Sequence, residues 1–435
     1  MRPRDRRGGG VQGVPDAAVG SGGADRLDRA RGARHRATPD PHRRRERRQR
    51  LQRPRPSLPQ RRQRHRAQPP AGRVRDRRRA RDDARRHARP RRRERVTHLA
   101  LRRGRVVSVD RRGPAAEVTV DVGGEPRPAI SYGRLTGEAE AGDEVLVNVA
   151  ARDLGLGSGG FDIVHANLTR GCEGGGPAGA HVMKLNYSSL QHAVAPLEER
   201  AGELARPVDR PVAVIAVHGQ LPCVAWAAGA ARSGLRVGYV QTAGGALPGE
   251  LSGTVRELRD RGLLADHVTA GPAFGGEQEA ITTAGALHAG FTALGWDAAI
   301  AGPGPGILGS ATELGHGGLA ALDTAHAALA LGCRVVIVPR MSSGDPRDRH
   351  RGLSHHTQTV LEMLLAPVLV AVPDSEQLDL PGTVRLRPAE PDLDGYAESG
   401  LAAHTMGRSM SEDQLFFRAA LAGGAVLAAE AGDAG

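Results

Sequence analysis

Residues 340–357 hold the densest group of polar side chains in the part of the chain that follows residue 95. Four arginines stand there, between a predicted buried strand and a predicted helix: Arg340, Arg347, Arg349 and Arg351. Guanidinium groups and the N–H groups of a helix N-terminus both attract phosphate or carboxylate, and Ser354 has the residue type that caps such a helix. The segment therefore predicts an anion-binding site formed by the four arginines and Ser354. The alternative is a solvated loop in which the arginines pair with Asp345 and Asp348.

Histidines beside these arginines are candidates for proton transfer, because the ordinary pKa of imidazole lies close to neutrality. The catalytic candidates are His316, His350, His355 and His356, together with Asp345 (or Asp323) as the carboxylate that orients one of them. Spacing alone assembles no set of nucleophile, base and orienting residue. A metal-assisted variant would use His316, His355 and His356, but they lack a diagnostic spacing, so the sequence assigns no metal.

A glycine-rich loop precedes the first of these histidines. It contains Gly304, Gly306, Gly309 and Ser310, whose backbone N–H groups could cradle a phosphate. The three glycines formally match the dinucleotide fingerprint, but the match is weak because two prolines stiffen the loop and the next helix is predicted to begin only near Gly318. An anion cradle is therefore the better prediction, and the cofactor stays unknown.

Lys184 is the single lysine of the chain. An amine can lose its proton where a guanidinium cannot, so Lys184 is a further candidate for chemistry. A surface residue without a chemical role is the favoured interpretation.

The elements that must position these groups are strands and helices that alternate over 211–435. Continuous apolar runs predict six buried strands at 211–217, 236–242, 267–270, 297–301, 334–339 and 368–372. Helices of ordinary length join them, which predicts a doubly wound, Rossmann-like parallel sheet in an α/β fold. Ligands bind beyond the carboxyl ends of strands in such sheets, and the polar loops follow those ends.

The region before this sheet has a different sequence pattern. Alternating residues at 117–122 and 144–149, with turns between them, predict a small SH3/OB-like β-barrel domain over 96–170. Residues 171–210 are expected to form a glycine-rich linker and a connecting helix. The strands of the barrel lack interleaved aromatic and basic residues, so packing or docking is expected there rather than nucleic-acid binding.

Residues 1–95 form an arginine- and proline-rich leader with 34 of the 60 arginines and only 10 acidic residues. Without Ile, Phe, Tyr or Trp it cannot build a core, so we expect it to be disordered. It also lacks the other residues with A/T-rich codons that the body uses, which favours a translation start placed too far upstream over a basic arm for nucleic acid. The body, 96–435, has a net charge of −11 against +13 for the whole chain, so nucleic acid is not its expected partner.

Three widely spaced cysteines form no zinc or disulfide pattern. The longest apolar run, 361–373, is interrupted by Glu362 and Pro367, so we expect no membrane span and a cytoplasmic protein. The expected partner is a small anionic ligand. The oligomeric state is not predicted.

Three motifs, at 183–192, 302–309 and 340–357, resemble the bacterial family called domain of unknown function 3866, and the resemblance extends over about 96–425. The family's name implies no activity, substrate or catalytic residue. We expect an enzyme or binding protein for a small phosphate- or carboxylate-bearing molecule. The alternatives are a non-enzymatic nucleotide sensor or scaffold and, through the leader, a nucleic-acid-binding protein.

Overall fold

The computed structural model describes residues 99–111, 115–156, 159–172, 176–310, 312–378, 380, 382 and 384–432. All of them belong to one compact unit, Arg95–Gly435. The predicted disorder of the leader, 1–95, lies outside the described residues.

A closed five-stranded barrel begins the described part of the chain. Its strands are β1 (Leu101–Asp110), β2 (Ala116–Val122), β3 (Glu125–Ser131), β4 (Glu144–Asn148) and β5 (Asp162–Asn167), with the short helices α1 (Gly133–Thr136) and α2 (Ala150–Asp153). The strand order is β1-β2-β3-β5-β4, and valines such as Val118, Val120 and Val145 fill the interior. Alternate residues of these strands face inward, as the period of two in the sequence predicts. The predicted barrel is thus confirmed.

Residues 171–210 differ from the prediction. Two short strands, β6 (Val182–Lys184) and β7 (His192–Val194), form an antiparallel hairpin, and a 3-10 turn follows at Leu197–Arg200. The described residues of this range form no α-helix, so the predicted connecting helix is wrong. The sequence from 183 to 192 is too short and too rich in serine to sustain helical turns against the local hydrogen bonds that its side chains make.

The body of the fold is a parallel sheet of eight strands. They are β8 (Pro211–Ile215), β9 (Val237–Thr242), β10 (Asp266–Ala270), β11 (Gln278–Ala280), β12 (Ala298–Pro303), β13 (Arg334–Val338), β16 (Val368–Pro373) and β17 (Val384–Ala389). Their order is β11-β10-β9-β12-β8-β13-β16-β17. Two hairpins lie outside the sheet, formed by β14 (Met341–Ser342) with β15 (Gly352–Leu353) and by β18 (His404–Thr405) with β19 (Arg408–Ser409).

Helices cover both faces of this sheet. They are α3 (Leu221–Ala231), α4 (Gly253–Asp260), α5 (Thr283–Thr292), α6 (Ala320–Ala330), α7 (His355–Met363), α8 (Leu393–Glu398) and α9 (Gln414–Gly432). One hydrophobic core lies between the sheet and α5, α6 and α7, and a second lies between the sheet and α3, α4, α8 and α9. The α/β class and the parallel sheet are confirmed, with eight strands in place of the predicted six.

Helix α9 is long and apolar enough to cross a membrane, whereas we expected no membrane span from the sequence. It passes that test through its many alanines and leucines. Its apolar window is 72% buried inside the fold, where the helix packs on α3 and on the strands. This packing is that of a core helix.

The connections of the sheet create a crevice at its carboxyl edge. After β8 the chain adds β9, β10 and β11 toward one end of the sheet. After β12 it adds β13, β16 and β17 toward the other end. Connections that diverge in this way leave room for a ligand beyond the strand ends. The polar loops identified in the sequence follow β12 and β13, so the fold places them at this crevice.

Candidate functional site

A cleft of about 820 Å³ lies at the carboxyl edge of the sheet. The loops that follow β8, β12 and β13 form its walls, together with the β18–β19 hairpin. Its lining includes four arginines (Arg340, Arg347, Arg349 and Arg408), two histidines of the 340–357 segment (His350 and His356), residues of the glycine-rich loop (Gly306, Gly309 and Ser310), and His218, Thr405 and Met406. Four arginines thus line the cleft among the described residues, which makes it strongly cationic.

Asp345 organises three of these arginines. Its carboxylate, fully buried, accepts two side-chain hydrogen bonds from Arg347 (Nε and Nη2, both 2.9 Å), one from the Arg347 backbone N–H at 3.0 Å and one from Arg340 Nη2 at 3.3 Å. Arg408 Nη2 lies 3.5 Å from the same carboxylate. The hydrogen bonds from Arg347 hold the pKa of Asp345 far below its usual range. Asp345 was predicted to orient a histidine, but the structure gives it arginine partners instead, so its role is to position the guanidinium groups.

Arg340 is the most deeply buried of the four, with only 3% of its surface exposed. Burial, together with the neighbouring Arg347 and Arg408, lowers the pKa of Arg340 to about 10 against the attraction of Asp345. Its Nε has no hydrogen-bond partner within the described part of the chain, and the same holds for Nη2 of Arg408. A buried cation with an unused donor is costly, and an anion in the cleft would lower that cost.

The two remaining predicted arginines are exposed and differ in position. Arg349 lines the cleft, and its Nε donates to His350 Nε2 at 3.4 Å. Arg351 lies outside the cleft lining and donates to the Asp345 carbonyl oxygen at 3.0 Å. The structure therefore brings three of the four predicted arginines to the cleft and leaves Arg351 beside it.

The four candidate histidines form one cluster. The rings of His316 and His356 stack with their centroids 3.6 Å apart, and His355 lies 4.4 Å from His356 and 5.6 Å from His316. His350 packs against both His355 and His356, at 4.9 and 4.8 Å. The sequence separates His316 from the others by more than 30 residues, so the sheet edge, rather than local structure, brings them together.

Hydrogen bonds fix some of these rings and leave others unpaired. Ser354 caps α7, its hydroxyl accepting from the His356 N–H at 3.3 Å, and the same hydroxyl lies 2.8 Å from His350 Nδ1. His356 Nδ1 lies 3.3 Å from Arg340 Nη1. Both ring nitrogens of His316 and Nε2 of His355 are buried without a hydrogen-bond partner among the described residues. Ser354 was predicted to bind the ligand, but it lies outside the cleft lining and positions the histidines.

The histidines of the cluster are held neutral. Burial lowers the pKa of His316, His355 and His356, and it lowers the pKa of His350 to about 3 with a further contribution from Arg340. The Glu313 carbonyl opposes the shift at His316, although it does not reach hydrogen-bond geometry with either ring nitrogen. Neutral imidazoles present lone pairs, so the cluster can accept protons or bind a metal ion.

The glycine-rich loop supplies part of the cleft wall. Gly306, with φ of +73°, Gly309 and Ser310 line it, whereas Gly304 packs against the turn after β9, where a Cβ atom would lie 2.4 Å from the Ala246 carbonyl oxygen. The N–H of Ser310 is bonded to the Gly315 carbonyl oxygen within the loop. Helix α6 begins after this loop rather than inside it, so the arrangement differs from a dinucleotide-binding turn.

Lys184 lies away from this cluster. Its Nζ donates to Glu279 Oε2 at 2.7 Å and to the carbonyl oxygens of Ala273 and Thr269 at 2.6 and 3.1 Å. Each ammonium proton therefore has an acceptor at the β10–β11 edge of the sheet. The contacts support a structural role for Lys184, although it is buried rather than at the surface.

Sequence reasoning missed the contribution of the β18–β19 hairpin. Arg408 reaches the cleft from this hairpin, and Asp413, next to α9, fixes its Nε at 2.9 Å. Asp413 also accepts from Ser342 Oγ and the Ser343 N–H, which ties the hairpin to the arginine-rich loop. In the sequence, this region is marked only as a polar segment, 404–413, which lies between α8 and α9.

Comparison with known proteins places the chain in a family. The family described as "Protein of unknown function (DUF3866)" matches residues 128–424. No curated protein matches the chain. The crystal structure of YjeQ from Thermotoga maritima is similar at 16% identity over 39% of this chain and 51% of that chain, with a TM-score of 0.12. The family match spans the sheet, the cleft and the barrel from within β3 onward, and the chain belongs to the DUF3866 family.

Proposed function

We propose that the cleft binds a small molecule that carries a phosphate or carboxylate group and holds it beside the histidine cluster. The observation that carries this proposal is the pair of cleft-lining arginines, Arg340 and Arg408, each of which has a buried guanidinium nitrogen without a hydrogen-bond partner among the described residues. Charge-assisted hydrogen bonds to an oxyanion would satisfy both groups.

The rest of the cleft supports a ligand with more than an anionic group. Ile307 and Met406 line the same cavity as the arginines, so an apolar surface adjoins the cationic one. A volume of about 820 Å³ is within the range of small-molecule sites. An organic phosphate or carboxylate therefore fits the lining better than a bare inorganic anion.

The neutral imidazoles of the cluster would lie beside the proposed ligand, where they could accept a proton from it. His356 lines the cleft and lies 3.3 Å from Arg340, so an anion held by Arg340 lies close to the cluster. A site with this arrangement suits an enzyme that acts on the bound molecule, and turnover of a ligand would distinguish it from a sensor that only binds.

Calorimetric titration of the full chain with a panel of phosphorylated and carboxylated metabolites tests the proposal. We expect at least one compound to bind, and Arg349→Gln to weaken that binding about 10-fold, because one charge-assisted hydrogen bond is lost. Arg351→Gln is the matched control: it removes an equal charge from the same exposed loop but lies outside the cleft. Equal affinity in the two variants, or no binding by any compound, would contradict the proposal.

A further inference from the structure

We propose that His316, His355 and His356 together bind one divalent transition-metal ion of the zinc class at the carboxyl edge of the sheet. Each residue contributes one ring nitrogen, and these three nitrogens all lie within 4.8 Å of one another. The inference deepens the proposed function, because it rests on the same cleft and names what the histidines hold there.

The burial of these nitrogens points to a ligand. His316 is 93% buried, as its exposed fraction of 7% shows, and neither of its ring nitrogens has a partner among the residues that the structure describes. Nε2 of His355 is likewise buried and has no hydrogen-bond partner among these residues. A buried polar atom without a partner is destabilising, and native proteins rarely keep several of them in one place without a function.

The backbone is shaped to let the rings converge. Gly318, in the 3-10 turn at Gly317–Leu319, has no side chain at the point where Nδ1 of His316 and Nδ1 of His356 meet. A Cβ atom there would lie 3.3 Å from each of these nitrogens. The glycine therefore keeps open the space between the two candidate ligand atoms.

The donor set selects the class of metal. Imidazole nitrogen is a ligand for zinc and neighbouring first-row metals rather than for calcium or magnesium. Zinc–nitrogen bonds of about 2.0–2.1 Å in tetrahedral geometry require nitrogens about 3.3 Å apart. The set lies within 4.8 Å, and the stacked rings of His316 and His356 must rotate out of their parallel arrangement before their nitrogens reach that spacing.

Three protein ligands leave one coordination position, as in catalytic zinc sites. Of the three ligands His356 lines the cleft, so the metal site adjoins the proposed anion site through this residue. Arg340 Nη1, which now lies 3.3 Å from His356 Nδ1, must yield this nitrogen to the metal and becomes available to the anion. Metal and Arg340 repel each other unless an anion lies between them, so phosphate should tighten metal binding, and metal should tighten phosphate binding by the same factor.

Titration of the full, tag-free chain with Co²⁺ tests the site, because visible absorption bands of Co²⁺ report nitrogen ligation. We expect one tightly bound equivalent, displaced by Zn²⁺ and confirmed by elemental analysis after gel filtration. His316→Gln should weaken binding by about 100-fold or more. Gly318→Ala should also weaken it while leaving every ligand in place, because its methyl group fills the space between the two Nδ1 atoms.

His404→Gln is the matched control, since His404 is exposed on the β18–β19 hairpin and lies outside the cluster. Thermal unfolding without metal checks that each variant folds. Equal Co²⁺ binding by the wild type, His316→Gln and Gly318→Ala would overturn the metal site. If phosphate binding then still depends on Arg349, the proposed function stands without the metal. If Co²⁺ binds as expected and no anionic compound binds, the metal site stands and the proposed function falls.

Discussion

Lys184 illustrates how a residue that looks chemical in the sequence becomes structural in the fold. It is the single lysine of the chain and only 4% exposed. Burial lowers the pKa of its ammonium group, and the pairing with Glu279 raises it again. Glu279 is held in turn by the Thr269 hydroxyl at 2.8 Å and the Gly275 N–H at 2.7 Å. The pair thus joins the β6–β7 hairpin to the edge of the sheet.

Lys184→Met should lower the free energy of unfolding by about 3 kcal/mol or more, because it leaves the buried Glu279 carboxylate without its cation. Urea unfolding measures this loss. Adding Glu279→Gln should cost less than the two single substitutions together, since the uncompensated charge is then gone. Arg103→Met, which breaks the exposed ion pair between Arg103 and Glu144, is the control and should cost under about 1 kcal/mol. A Lys184→Met variant as stable as that control would contradict the structural role.

The candidate site was predictable only as far as its residues share a loop or a strand end. Arg340, Arg349 and His356 come from one polar segment after a buried strand, and strand ends of a parallel sheet meet at one edge. Arg408 could not be predicted, because its hairpin reaches the cleft through the Asp413 contact and no periodicity marks it. The hydrogen-bond partners of Asp345 also depend on three-dimensional packing, which is why it was predicted to orient a histidine.

At the scale of elements, burial decides which strands the sequence reveals. Six central strands are covered on both faces and read as continuous apolar runs. The two missed strands lie at the edges: β11 has only three residues, and β17 alternates arginine with other residues on a largely exposed surface. Edge strands carry short or charged sequences because these discourage pairing with other chains, so their apolar signal is weak.

Helix α9 owes its place in the core to a close contact with α3. A Cβ atom at Gly424 would lie 2.3 Å from the Val224 carbonyl oxygen and 2.7 Å from the Ala227 Cβ atom. Gly424→Ala should therefore lower the free energy of unfolding by about 1–3 kcal/mol, although alanine favours the helix by about 1 kcal/mol over glycine. Ala429→Leu, at an exposed position of the same helix, should change stability by less than about 0.5 kcal/mol. Chemical denaturation measures both. A Gly424→Ala variant at least as stable as the wild type would contradict this packing.

At the scale of the whole molecule, the sheet buries titratable groups between its layers. His267 stacks on Tyr239 with ring centroids 5.4 Å apart, and His218 lies 2.7 Å from the Ser252 hydroxyl through Nε2. Burial lowers the pKa of His218 to about 4 and that of His267 to about 3. Arg259 and His218 add to the shift at His267, and its backbone N–H donates to the Glu277 carboxylate. Both rings are therefore neutral in the folded protein well below the pH at which they protonate in an unfolded chain.

This difference makes stability fall as the solution becomes acidic. Between pH 7 and pH 5 the unfolded chain takes up protons on both histidines and the folded protein does not, which lowers the free energy of unfolding by about 2 kcal/mol for each ring. His267→Gln removes one of these groups, so its loss between pH 7 and pH 5 should be about 2 kcal/mol smaller than that of the wild type. Urea unfolding at the two pH values measures both losses, with exposed His404→Gln as the control that keeps the wild-type dependence. If His267→Gln loses as much stability as the wild type over this interval, His267 is already protonated in the folded protein and is not held neutral by burial.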